Sequence, residues 1–89
     1  MSEIVRRAAA GTLESSDVYV ELEPSDAGSE IELDSVVLRQ FADEIRRVVG
    51  EVLSEQGVSR AKVRVVDRGA LDCVIRARVE TAVERAKGA

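Results

Sequence analysis

The feature that most constrains this chain is a long stripe of apolar side chains at helical spacing. Leu38, Phe41, Ala42, Ile45, Val48, Val49, Val52 and Leu53 recur at intervals of three and four, as one face of an α-helix requires. The opposite side carries Arg39, Asp43, Glu44, Arg46, Arg47 and Glu51, several of them three or four apart with opposite sign. A helix with so wide an apolar face has to lay it on a second layer. Asp34 or Ser35 is placed to cap its start, and Gly57 to end it in the left-handed conformation. Gly50 weakens it from within, by up to about 1 kcal/mol against alanine.

The second layer is signalled by a change of period. Val18, Val20 and Leu22 alternate with Tyr19, Glu21 and Glu23 until Pro24 stops the run, which predicts a strand with one buried face. Ser25 to Ser29 is a loop by composition, and Ile31 and Leu33 then alternate with Glu30, Glu32 and Asp34. The two runs read as a hairpin with an acidic outer face, solvated rather than arranged for a cation. A third strand runs from about Ala61 to Val66. Its Lys62 and Arg64 are expected to stand opposite the acidic hairpin, each exposed pair adding about 0.2 to 1 kcal/mol. Asp67-Arg68-Gly69 turns into a last helix striped by Leu71, Val74, Ile75, Val79, Ala82, Val83 and Ala86, with Arg78 at the margin. Asp72 suits the positive end of that helix. Residues 2–10 fit a short helix opened by Ser2 and closed by Gly11. The expected fold is α+β and two-layered, a small sheet of about three strands with two long amphipathic helices on one face, in a single domain over residues 1–89.

Composition narrows the function. At 89 residues the chain is near the size at which burial just offsets chain entropy, so a large enclosed substrate cavity is not expected. Tyr19 and Phe41 are its only aromatics, which leaves no stacking platform for bases, and a net charge of −4 argues against a phosphate-backbone binder. There is no histidine, which removes the Ser-His-Asp and Cys-His arrangements and argues against a zinc hydrolase. Cys73, the single cysteine, excludes an internal disulfide and is read as a small packing residue. Met1 to Arg7 carries an early acid and too short an apolar stretch for export, so a cytoplasmic, non-membrane location is expected.

What remains is the polar turn Gly11-Thr12-Leu13-Glu14-Ser15-Ser16-Asp17. Nothing in it helps to build a core, so it should face solvent. Without a histidine to take its proton, a serine here is placed to be modified rather than to attack. On the residues alone, Ser15 and Ser16 are equivalent, and an ordinary turn serine is the default for either. Glu14 and Asp17 serve either as recognition elements or as solvating groups, and Asp17 is placed to accept bonds from nearby backbone N–H groups.

This turn, together with Gly69-Ala70-Leu71-Asp72-Cys73, the Arg76-Ala77-Arg78 that follows, the spacing between the two motifs and Phe41 in the first long helix, resembles the acyl carrier (gamma) subunit of citrate lyase. The likeness runs over nearly the whole chain. In that family the serine directly after the Gly-Thr-Leu-Glu run carries phosphoribosyl-dephospho-coenzyme A through a phosphodiester, and the matching residue is Ser15. The resemblance implies a non-catalytic subunit that carries acetyl and citryl thioesters. It also implies three partners: the alpha (acyl transferase) and beta (citryl lyase) subunits and a prosthetic-group transferase. Carriers of malonate decarboxylase or citramalate lyase are the alternatives within the class, and a non-catalytic acidic interaction domain is the alternative outside it. Arg76 and Arg78 either clamp the phosphates of the attached arm or bridge to Asp72 and Glu80, and the bridging role is the one expected.

Overall fold

A computed structural model describes residues 3–36 and 39–88. The chain runs β1 (Ala8–Gly11), β2 (Val18–Pro24), β3 (Glu30–Ser35), α1 (Arg39–Glu55), β4 (Ala61–Asp67) and α2 (Asp72–Ala86). The strands form one sheet in the order β1-β2-β4-β3, with β1 and β4 antiparallel to β2 and β3 parallel to β4. The fold is α+β, with four strands rather than about three.

The extra strand lies where a short helix was expected over residues 2–10. Ala8 to Gly11 instead pairs with β2 from Ala8↔Leu22 to Gly11↔Tyr19, and Ala10 is buried. A run of this length is marginal as a free helix, whereas as an edge strand it satisfies the backbone groups of β2 on that side. Ser2, the expected cap, lies outside the described residues.

The acidic hairpin is also corrected. Strand β3 does not pair with β2; β4 lies between them, and α1 forms the crossover that lets β3 and β4 run parallel. The register shows why. Arg64 sits level with Glu21 on one side and Glu32 on the other, and Lys62 with Glu23 and Glu30. A direct β2–β3 hairpin would have set glutamate against glutamate, so the predicted opposition of charges holds in a different topology.

The inner face of the sheet carries Val18, Val20, Leu22, Val63 and Val65, all fully buried, with Ile31 and Leu33 packed against them. Onto this face α1 brings Ile45, Val48, Val49, Val52 and Leu53, and α2 brings Ile75, Val79, Ala82, Val83 and Ala86. Branched aliphatics fill the core, in keeping with a chain almost without rings. Helix α1 ends at Gly57, whose φ is +73°. The Gly57 N–H donates to the Ser54 carbonyl at 3.1 Å and the Val58 N–H to the Leu53 carbonyl at 2.9 Å, while Val58 and Leu53 are both buried.

Two members of the expected stripes are not in the core. Phe41, in the first turn of α1, is 52 % exposed, and Leu71, the residue before α2, is 71 % exposed. Leu38 lies outside the described residues. Asp34 and Ser35 belong to β3 rather than to a cap of α1.

Candidate functional site

The polar turn is the loop joining β1 to β2, and Gly11 admits it. At φ +96°, a Cβ on this residue would fall on the Val18 carbonyl oxygen, with the Arg78 Cδ 3.3 Å away. Only a residue without a side chain lets the chain turn there. The loop then closes on itself. The Thr12 hydroxyl donates to Asp17 Oδ2 at 2.7 Å and accepts the Glu14 N–H at 3.2 Å, and the Asp17 N–H donates to the Glu14 carbonyl at 3.2 Å.

Asp17 is the hub. Its Oδ1 accepts the Val18 N–H at 2.7 Å, and the Arg78 guanidinium grips both oxygens, Nε to Oδ1 at 3.1 Å and Nη2 to Oδ2 at 2.9 Å. Chiefly through Arg78, then Thr12 and the Val18 N–H, its carboxyl is held down to about 2, against an ordinary 3.8. The acceptor role expected of Asp17 is met, and the fork from Arg78 is a contact that sequence reasoning missed. The sign that could have found it is the pairing of an unmatched acid in the first motif with an arginine at the apolar margin of the second.

A second brace ties the loop to the connection between β4 and α2. The Ser16 N–H donates to the Arg68 carbonyl at 2.8 Å, and the Arg68 N–H to the Asp17 carbonyl at 2.9 Å. Ser16 is the only non-glycine residue with positive φ among the described residues, at +66°, a conformation that these flanking bonds hold. The platform beneath is rigid in turn. Asp67, fully buried, accepts the Ser35 hydroxyl at 2.9 Å and the Ala70 N–H at 3.0 Å. Glycine at position 69, φ +93°, completes the turn.

Ser15 stands at the crest of this braced loop, exposed, and its hydroxyl has no hydrogen-bond partner among the described residues. An open depression of about 430 Å³ bordered by Gly50, Leu53 and Val58 lies at the other end of the sheet. A group joined to the Ser15 oxygen would extend into solvent without displacing packed atoms, so the loop fits a large covalent attachment.

The other singled-out residues fall elsewhere. Arg76 bonds Glu51 at 2.7 Å and Glu55 at 2.6 Å, both on α1, so it bridges the helices rather than reaching Asp72 or Glu80. Arg78 likewise bridges, but to Asp17. Cys73 is exposed in the first turn of α2 and is not a packing residue. Among the described residues no group of three or more cysteine, aspartate or glutamate side chains could hold a metal ion, and no helix is long and apolar enough to cross a membrane.

The sequence pattern of the ACP family described as malonate decarboxylase delta subunit (MdcD) matches residues 5–86. The citrate lyase acyl carrier protein of Escherichia fergusonii is 54 % identical over 85 residues, covering 94 % of this chain and 88 % of the relative. That of Lactiplantibacillus plantarum is 49 % identical over 84 residues, again covering 94 % and 88 %. The fold matches a chain in the crystal structure of a Pseudomonas malonate decarboxylase hetero-tetramer in complex with malonate, with a TM-score of 0.75, 24 % identity, and coverage of 91 % of this chain and 84 % of that one. Fold and sequence together define an acyl carrier subunit, a class whose cargo rides on a covalently attached prosthetic group. The chain belongs to the family of citrate lyase acyl carrier proteins.

Proposed function

We propose that Ser15 is the attachment residue for phosphoribosyl-dephospho-coenzyme A, and that residues 1–89 act as one carrier unit in a cytoplasmic citrate lyase with alpha and beta subunits. The observation that carries this reading is the Ser15 hydroxyl, exposed and without a hydrogen-bond partner among the described residues, on a loop braced from both sides; its place directly after Glu14 is what selects it over the equally exposed Ser16. For attachment, the Ser15 oxygen attacks the phosphorus of an activated phosphoric anhydride. A P–O bond forms, the bond to the phosphate leaving group breaks, and the serine proton passes to a base of the transferase, since this chain has no histidine to take it. The bound group supplies a thiol that carries acyl chains as thioesters.

The chain's own contribution is mechanical. The Arg78–Asp17 fork and the Ser16–Arg68 bonds hold the base of the arm at one end of the molecule, so the arm's free end samples partner sites at high effective concentration and without release of the acyl group. The carrier of malonate decarboxylase is the second reading. It is supported by the structural likeness at 24 % identity, whereas sequence likeness near 50 % favours citrate lyase. Intact-mass measurement after co-expression with the family's modifying enzymes tests the proposal. The chain should gain the mass of phosphoribosyl-dephospho-coenzyme A, Ser15→Ala should abolish the gain, and Ser16→Ala should keep it. An unmodified wild type under conditions that load a known carrier would sink the reading.

A further inference from the structure

Five large apolar side chains stand mostly in solvent among the described residues: Val5 at 70 %, Leu13 at 60 %, Val36 at 65 %, Phe41 at 52 % and Leu71 at 71 % exposure. Isolated exposures of this kind are ordinary on a soluble surface. Four of these five, however, share one end of the molecule. The register aligns the end of β1, the start of β2 and the ends of β3 and β4, from Gly11↔Tyr19 through Val18↔Asp67 to Ser35↔Asp67. Leu13 lies in the loop bonded to Arg68, Val36 donates its N–H to the Asp67 carbonyl at 3.4 Å, and Leu71 ends the same turn. Phe41 is in the first turn of α1, and Glu44, one turn on, stands beside Asp72. Val5 is the exception, bonded through its N–H to the Ala86 carbonyl at the far end of α2.

We infer that Leu13, Val36, Phe41 and Leu71 form the docking surface for the transferase that modifies Ser15; the inference rests on the reading of Ser15 as the attachment residue. The occupant follows from reach. An enzyme that joins phosphorus to the Ser15 oxygen has to bring its reacting atoms to within about 3–3.5 Å of it, so its own surface covers the loop's surroundings. Enzymes that use the far end of a long arm have no such need. The same end exposes Glu14, Asp34, Asp43 and Asp72 against the exposed Arg39 and the half-buried Arg68, and is net acidic. The complementary face is an apolar recess rimmed by lysine and arginine, the apolar part giving affinity and the charges giving orientation and approach rate.

The test uses the wild-type chain, Phe41→Ser/Leu71→Ser and Val5→Ser, each loaded by the transferase of a citrate lyase carrier relative with its activated phosphoribosyl-dephospho-coenzyme A donor and followed by intact mass. Both altered positions of the double variant are far from Ser15 in sequence, so the variant leaves the local motif intact. It should lose about tenfold or more in kcat/KM through a higher KM, with kcat kept, while Val5→Ser loads like wild type. If the double variant melts early, the two single variants carry the same test with losses of about threefold or more each. Wild-type loading by the altered chains overturns the docking surface and leaves Ser15 standing, as does an equal loss in Val5→Ser. No mass gain in the wild type itself overturns the Ser15 reading and the docking surface with it. A concentration-dependent dimer that Phe41→Ser/Leu71→Ser abolishes, with loading unchanged, assigns the surface to a second copy of the chain instead.

Discussion

Asp17 does more for the loop than either serine beside it. It joins the strand, the hydroxyl of Thr12 and the last helix at one carboxylate, and each of these bonds favours the charged form. Because the folded value lies below the unfolded one, the carboxylate's contribution to stability is complete above about pH 4 and is lost as pH falls toward 2. Thermal melts of the wild type and Asp17→Asn between pH 6 and pH 2 should therefore differ most at pH 6 and converge at the acid end. A constant difference across the range would show that the fork does not act through charge. Gly11 is the other single residue on which the loop depends. Gly11→Ala forces its new methyl onto the Val18 carbonyl in a left-handed conformation, and should cost about 1–3 kcal/mol in chemical denaturation.

At the scale of elements, the helices were the easiest to read and the first strand the hardest. The α1 pattern repeats over many turns, so its buried residues Ile45, Val48, Val49, Val52 and Leu53 all belong to the stripe seen in the sequence. Ala8–Gly11 is four residues without alternation, and its pairing with β2 is a long-range fact that no local pattern announces. Gly50 is a place where the helix can be improved. No atom lies within 4 Å of the position a Cβ would take, so Gly50→Ala should stabilise the chain by up to about 1 kcal/mol, read as a raised denaturation midpoint with an unchanged slope. Leu22, fully buried in β2, offers the opposite result, with Leu22→Ala costing about 2–5 kcal/mol.

Over the whole molecule, the outer face of the sheet is a ladder of alternating charge, with the cationic strand β4 between acidic β2 and β3. Replacing Lys62 and Arg64 by glutamate would line up six carboxylates over three adjacent strands. The double variant should be less stable by about 1 kcal/mol or more at low salt, and should recover part of that loss as salt screens the repulsion. A salt-independent loss would mean that the methylene stems of Lys62 and Arg64, not their charges, are what the sheet uses.

Periodicity and composition by themselves determined the class of this protein: two striped helices over a small sheet, an aliphatic core, an acidic surface and a serine turn with no base to activate it. These are local properties, written in the spacing of a few residues at a time. Strand order, the β1 pairing, the placement of β4 between two acidic strands and the Arg78–Asp17 fork were decided only by the tertiary structure. Each joins residues far apart in the chain, and what selects among such pairings is the packing of one shared core and the matching of charge across strands, quantities that exist only once the chain has closed on itself.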